Sequence, residues 1–251
     1  MIKSSNIFLV TSLLGIVILI SVAIYLHQVR QNFQDYKNNF QENVTLFKKQ
    51  ATDPDKIIHL QVKEIDLSGD YARIEHLMTK YFQRSLDFEN KYRQQKNDLK
   101  VNELFSLAEL KQDSSLSGSE LALTRADYLF IEMYQEKSQM FDQLLIDANQ
   151  IELSTHKKTD QFHQNFDRFF TKYVKTQEHI LNLEKQNLSL KRSMLRLLKE
   201  NPWTIESDQL VFKDPLNQNQ FQQLQNEIEK NHSKKIVMQE QALKLFLTLY
   251  S

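Results

Sequence analysis

Thr155–Asn201 reads THKKTDQFHQNFDRFFTKYVKTQEHILNLEKQNLSLKRSMLRLLKEN, and this stretch decides the fold class. Phe162, Phe169, Leu183, Leu190 and Leu197 fall on one heptad position, with Thr176 in a gap. Phe166, Tyr173, Ile180 and Met194 fall on its partner, with Asn187 in line. Two interlocked apolar positions repeating every seven residues make a helix with a packing seam. A polar residue in such a seam costs stability and selects register, which is the role expected of Asn187. Ser154-Thr155 supplies a cap at the start, and Asn201-Pro202 ends the helix because the residue before proline is pushed out of helical dihedrals.

Working upstream, a helix is expected from about Ser119 to Leu153, with Ala126, Phe130, Met133, Met140, Leu144, Ala148 and Ile151 facing inward. Ser117-Gly118-Ser119-Glu120 matches a capping box at its start. From Ser119 to Leu153 there are seven acidic and two basic side chains, a net of −5, and from Ser154 to Glu200 five acidic and ten basic, a net of +5. A very short turn joins the two, so they are expected to pack antiparallel with opposite charges beside the seam. An earlier helix carries Tyr71, Ile74, Met78, Tyr81, Phe88, Tyr92 and Leu99 and is read as continuing through Leu104, Phe105 and Leu110. Lys56–Leu67 is ambiguous between a short helix and extended chain. Thr204–Pro215, with Ile205, Leu210, Val211 and Phe212, reads as a structured loop or short hairpin, and a last helix runs from about Leu216 to Leu249.

At the other end of the chain, Ile7–Leu26 contains fourteen Ile, Leu, Val or Phe among twenty residues, and no charge lies between Lys3 and Arg30. Twenty helical residues span about 30 Å, the thickness of a bilayer's hydrocarbon core. At about −0.3 to −0.6 kcal/mol per large apolar residue, insertion is favoured by several kcal/mol. Ser21-Val22-Ala23 offers a signal-peptidase-like site, but the apolar run exceeds the usual signal-peptide core and favours a retained anchor. Val29, Phe33, Tyr36, Phe40, Val44 and Phe47 continue the helical period outward as a stalk, which Thr52-Asp53-Pro54-Asp55 interrupts. The expected organisation is therefore a tail at 1–6, a transmembrane helix at 7–26, a helical stalk at 27–50 and an all-α domain at 51–251. That domain is an antiparallel bundle of four to five long helices with an irregular segment at about 201–215. A single-pass protein of the cell inner membrane is expected, with its N-terminus cytoplasmic and the bundle periplasmic or otherwise extracytoplasmic.

Composition narrows the function by exclusion. Thirty-two basic and thirty-two acidic residues leave no net charge, which removes the footprint of a nucleic-acid binder. Cysteine is absent, so disulfides, thiolate metal sites and catalytic thiols are excluded. Gly15, Gly69 and Gly118 are too far apart for a phosphate-cradling loop or a nucleophile elbow. Glu229 and His232 form a Glu-x-x-His pair, and Asp160, His163 and Asp167 share a face, but a di-metal bundle needs two such pairs plus further glutamates. His156 and His163, seven apart, face one way and read as a solvated pair rather than a pH sensor. The aromatic stripes Phe33/Tyr36/Phe40 and Phe162/Phe166/Phe169/Phe170/Tyr173 read as core before they read as a lipid site. Asn43-Val44-Thr45, Asn187-Leu188-Ser189 and Asn231-His232-Ser233 match the glycosylation pattern without defining a site.

No catalytic, cofactor-binding or metal residue is assigned, and no cofactor is expected. The reading is a non-enzymatic, membrane-anchored scaffold that meets the bilayer through 7–26 and a protein partner, or itself, through helical seams. The alternative is an extracytoplasmic ligand-sensing bundle that signals through a partner. The layout resembles half of a bacterial chemoreceptor or sensor-kinase input module in architecture only, and Leu243–Tyr250 is too short to return through the membrane.

Overall fold

The computed structural model describes residues 56–248 apart from 64 and 66, together with 28, 30–32, 34, 35, 37–39, 41–43, 45, 46 and 49. The transmembrane stretch 7–26 and the stalk stripe Val29/Phe33/Tyr36/Phe40/Val44/Phe47 lie outside the described residues. Among the described residues no helix is long and apolar enough to cross a membrane.

Four long helices build the domain: α1 (Asp70–Asp98), α3 (Ser117–Asn149), α4 (His156–Glu200) and α5 (Pro215–Thr248). A short α2 (Leu107–Gln112) and a hairpin, β1 (Trp203–Glu206) with β2 (Gln209–Phe212), complete it. The chain is mostly helical, as expected. Two apolar cores occupy opposite ends of the bundle. Ile74, Met78, Phe82, Phe141, Phe166 and Ala242 meet in one; Val101, Leu123, Leu195, Leu198, Phe212 and Phe221 meet in the other. The early part of α1 and of α4 thus shares an end with the late part of α3 and of α5, which makes the helices alternate in direction. The aromatic stripe of α4 is core: Phe166, Phe169 and Tyr173 are buried, and the Phe169 and Tyr173 rings stack at 5.5 Å.

The α4 boundaries follow the sequence signals. Thr155 accepts a hydrogen bond from the Lys158 backbone amide and Asn201 leaves the helix in an extended conformation. Asn187 finds its counterpart in Asn231 of α5, whose side-chain amide donates to it at 3.1 Å. The hairpin pairs Trp203 with Phe212 and Ile205 with Leu210, and puts Phe212 into the second core.

Two expectations need correction. First, α1 does not run on to Leu110; it ends at Asp98. Lys100 takes a left-handed backbone (φ 50°) and the chain turns so that Val101, Leu104 and Leu110 fold over the second core. Second, Ser117 is not the cap of α3. Leu116 precedes the helix with φ 59°, and Asp113 reaches forward to accept from the Ser119 amide at 2.7 Å and from its hydroxyl at 2.9 Å. Glu120, the other half of the supposed capping box, instead pairs with Lys199. Whether the stalk stands alone or folds back is left open by its periodicity; where it is described, it bonds to the segment around Lys63. Asn43 accepts from the Lys63 amide and donates to the Lys63 carbonyl, both at 3.1 Å, and Asn39 donates to that carbonyl at 2.8 Å.

Residues 57–63 form neither helix nor strand, so the helical alternative for Lys56–Leu67 does not hold there. Among the described residues no strand pairs with this partly buried segment; side chains bond its backbone instead. Asn90 both donates to and accepts from Ile58, and Gln83 accepts from the Val62 amide.

Candidate functional site

Between the two cores lies a layer of buried charge. Glu184, in the middle of α4 and 5 % exposed, accepts from Lys96 of α1 at 2.7 Å, from Lys235 of α5 at 2.8 Å and from the Tyr92 hydroxyl at 3.2 Å. Glu89 of α1 pairs with Lys137 of α3, whose side chain is 2 % exposed. Burial alone would raise the Glu89 carboxyl, but the Lys137 ammonium, followed by Arg93, overcomes it and holds the group at about 2. Burial likewise opposes the charge on Glu184, and Lys235 then Lys96 more than offset it, leaving that carboxyl well below the usual range. Arg93, 3 % exposed, donates from Nη1 to the Lys56 carbonyl, and its Nε has no hydrogen-bond partner. It faces a small cavity of about 60 Å³ with Ser85, Glu89, Tyr173, Gln177 and Gln239. The lining is mostly apolar, with Phe82, Leu86 and Ile180 beside the polar groups, and the volume has room for a few waters at those groups.

Sequence reasoning missed this layer. Gln177, Glu184 and Lys191 are heptad-spaced and all buried, yet they sit outside the two positions read as the seam. The signal that could have found them is the same seven-residue spacing, continued through Phe170 and Leu198 on either side.

Two grooves open on the surface. The larger, about 1160 Å³, runs between the 99–106 turn, α4 and α5 and is walled by Asn102, Phe105, Lys191, Glu229 and His232. Lys191 closes its floor by donating to the Val101 carbonyl at 2.6 Å and to Asn102 at 2.9 Å. The Glu229–His232 pair therefore reaches a groove wall, but among the described residues no group of three or more acidic or histidine side chains is placed to hold a metal. The other metal candidates are separated: His163 turns its Nε2 to the Ile151 carbonyl at 3.1 Å, while Asp160, Asp167 and His156 are exposed. Of the glycosylation-like asparagines, Asn43 and Asn231 are buried.

The smaller groove, about 680 Å³, lies between α4 and α5 on another face and is lined by Asn182, Leu183, Lys230, Lys234, Val237 and Met238. Its floor is apolar and its rim basic. A third surface feature is the outward side of α3, where Leu121 (52 % exposed), Tyr128 (66 %), Ile131 (50 %) and Ile146 (50 %) stand in solvent. At 3.6 residues per turn these four fall within about 80° of one another, opposite the buried face of the helix.

No protein-family model, no curated protein and no solved structure matches the chain. Function has to be argued from the surfaces themselves.

Proposed function

We propose that the chain is a non-enzymatic helical scaffold of the bacterial cell envelope, anchored in the inner membrane through 7–26, that binds a protein through the outward face of α3. The observation that carries this is the row Leu121, Tyr128, Ile131 and Ile146 on a helix whose other face is already packed. Large apolar side chains scattered singly on a surface are ordinary; four on one face of a helix, with Tyr128 and Ile131 within one turn, support an interaction surface. The Ile7–Leu26 run supports the anchor through its length and lack of charge.

A photo-crosslinking residue placed at position 128 tests this in cells. Crosslinks at 128 and none at Gln222, an exposed position on α5, are expected. Absence of protein crosslinks at 128 refutes the docking face. Topology is checked with protease on cells whose outer barrier is opened: digestion of the bundle before lysis is expected, and protection until lysis places it in the cytoplasm.

The second reading, ligand sensing, rests on the polar groove above Lys191. Thermal stabilisation of the full chain by a small molecule, abolished in Lys191→Met, would favour sensing over scaffolding.

A further inference from the structure

The outward face of α3 and the α4–α5 groove are both apolar and carry opposite charge. On α3, Arg125 is the single exposed basic residue, because the helix's other base, Lys137, is buried on Glu89. Six acidic residues lie along the same helix. Glu120, Asp127 and Glu136 are paired at its flanks with Lys199, Arg192 and Lys91. Glu132 and Asp142 have no ion-pair partner among the described residues and sit in the sector of Tyr128 and Ile131. The result is an apolar ridge with acidic borders. The α4–α5 groove is its counterpart: Leu183, Val237 and Met238 form an apolar floor, and Lys230 and Lys234 supply charge with no carboxylate in the lining.

The two surfaces cannot meet within one molecule. Arg192 and Lys199 reach α3 from one side of α4, and residues 179–186 line the groove from a side roughly 140° away around the helix axis. A contact between them must therefore join different molecules. We infer that the occupant of the α4–α5 groove is the α3 ridge of a second copy of this chain, docked head to tail.

Dimensions set which part of the ridge enters. Leu121 to Ile146 extends about 38 Å, whereas residues 179–186 extend about 10 Å. The groove accepts about two turns, and Tyr128, Ile131 and Glu132 are the segment that pairs apolar rings and chains with the floor and a carboxylate with the lysines. Such a contact uses different patches on the two partners, so it leaves one ridge and one groove open at the ends of every dimer. It grows into a ring or filament rather than stopping at two. Small interfaces of this kind are weak and transient in isolation, and confinement of the anchored chain to a membrane plane raises its effective concentration. This inference rests on the scaffold reading above and narrows its partner to the chain itself.

Two variants with substitutions at exposed positions test it in the full chain in mild detergent, with mass followed by light scattering against concentration. Tyr128→Glu blocks the ridge and Val237→Glu blocks the groove; both side chains are at least half exposed, so helicity and melting temperature should match the wild type. Wild-type mass is expected to climb past two copies by about 100 µM, above the affinities of small transient interfaces. Each variant alone should remain monomeric. Mixed one to one, they should form a dimer and nothing larger, because one supplies the only ridge and the other the only groove. A wild type that stays monomeric, a wild type that stops at two copies, variants that assemble unchanged, or a mixture that stays monomeric would each overturn the inference. The scaffold reading is tested separately, since a crosslinker at 128 captures any protein while the mixing experiment responds only to a second copy.

Discussion

Replacing Glu184 with glutamine keeps its shape and removes its charge, which isolates what the central carboxylate does. Two ammonium groups lie at 2.7 and 2.8 Å from it, with side-chain exposures of 7 % and 10 %. The glutamine oxygen can still accept from one lysine, but its amide nitrogen is a donor facing the other. One buried ammonium thereby loses its carboxylate. Breaking a buried pair in this way costs about 3–5 kcal/mol. Proton loss sets an independent ceiling: a lysine can become neutral at pH 7 for about 1.36 kcal/mol per pH unit below its usual value near 10.4, or about 5 kcal/mol. The middle of the first range, about 4 kcal/mol, lies under that ceiling. For a domain of this size, each kcal/mol moves the melting temperature by about 2–4 °C, so a fall of about 8–16 °C is expected. Circular dichroism at 222 nm on the full chain in detergent measures it. The companion variant Lys96→Met/Glu184→Leu/Lys235→Met removes all three charges and should recover most of the loss, since apolar replacement of a whole buried network is often neutral or better. A Glu184→Gln chain melting within about 3 °C of wild type would show instead that water reaches the layer and screens it.

Acid should unfold the domain through the same layer. Glu89 is held at about 2 in the folded chain against an ordinary value of 4.5, so its contribution is complete above 4.5 and is lost as the pH falls toward 2. Melting temperature should decline steeply across that window, and Glu89→Gln should be less stable at neutral pH while showing a shallower decline. In the hairpin, Ser207 (φ 47°) and Asp208 (φ 56°) both hold left-handed backbones, which suit Asn and Gly better. Ser207→Asn/Asp208→Gly should raise stability by about 0.5–1 kcal/mol in thermal melts despite losing the exposed Lys111–Asp208 pair, since such a pair contributes little. Asp113→Ala removes both bonds to Ser119 at the start of α3 and should cost about 1–2 kcal/mol in denaturant melts, whereas Ser117→Ala should cost less than 0.5.

The long helices were legible because their signals are local. Thr155, Pro202 and the seven-residue repeat on α4 lie in the chain itself, and the Ile205/Leu210 hairpin is flanked by its own punctuation. The end of α1 was not legible. Leu99-Lys100-Val101 contains neither glycine nor proline, and the apolar spacing that suggested a continuing helix reflects burial of Val101 and Leu104 against a different core. The same limit hid the charge layer. A seam of two heptad positions describes a helix with one neighbour, but α4 is surrounded by α1, α3 and α5. A third position is thereby buried, and Gln177, Glu184 and Lys191 look like solvent residues until their partners on other helices are known. The candidate surfaces divide the same way: the exposure of Tyr128 depends on which face of α3 packs, while Leu183 and Val237 come from segments fifty residues apart.

The position of the charge layer bears on what a scaffold needs. Buried ion pairs add little stability over apolar packing, but they penalise every arrangement in which they are unpaired. Here Glu89 joins α1 to α3, and Glu184 joins α4 to α1 and α5. A one-turn slip of any of these helices would displace an ammonium by about 5 Å and strand it in the interior. Apolar cores built from Leu, Phe and Met tolerate such slips far better. The layer therefore works chiefly as a register lock, and what it locks is the spacing between the ridge on α3 and the groove between α4 and α5. For head-to-tail docking that spacing is the repeat of the assembly, because an error in one molecule is carried into every contact after it. If the lock has this role, the apolar triple variant should match the wild type in melting temperature and yet give assemblies of mixed or reduced size. Equal assembly in both would reduce the layer to a neutral relic of packing.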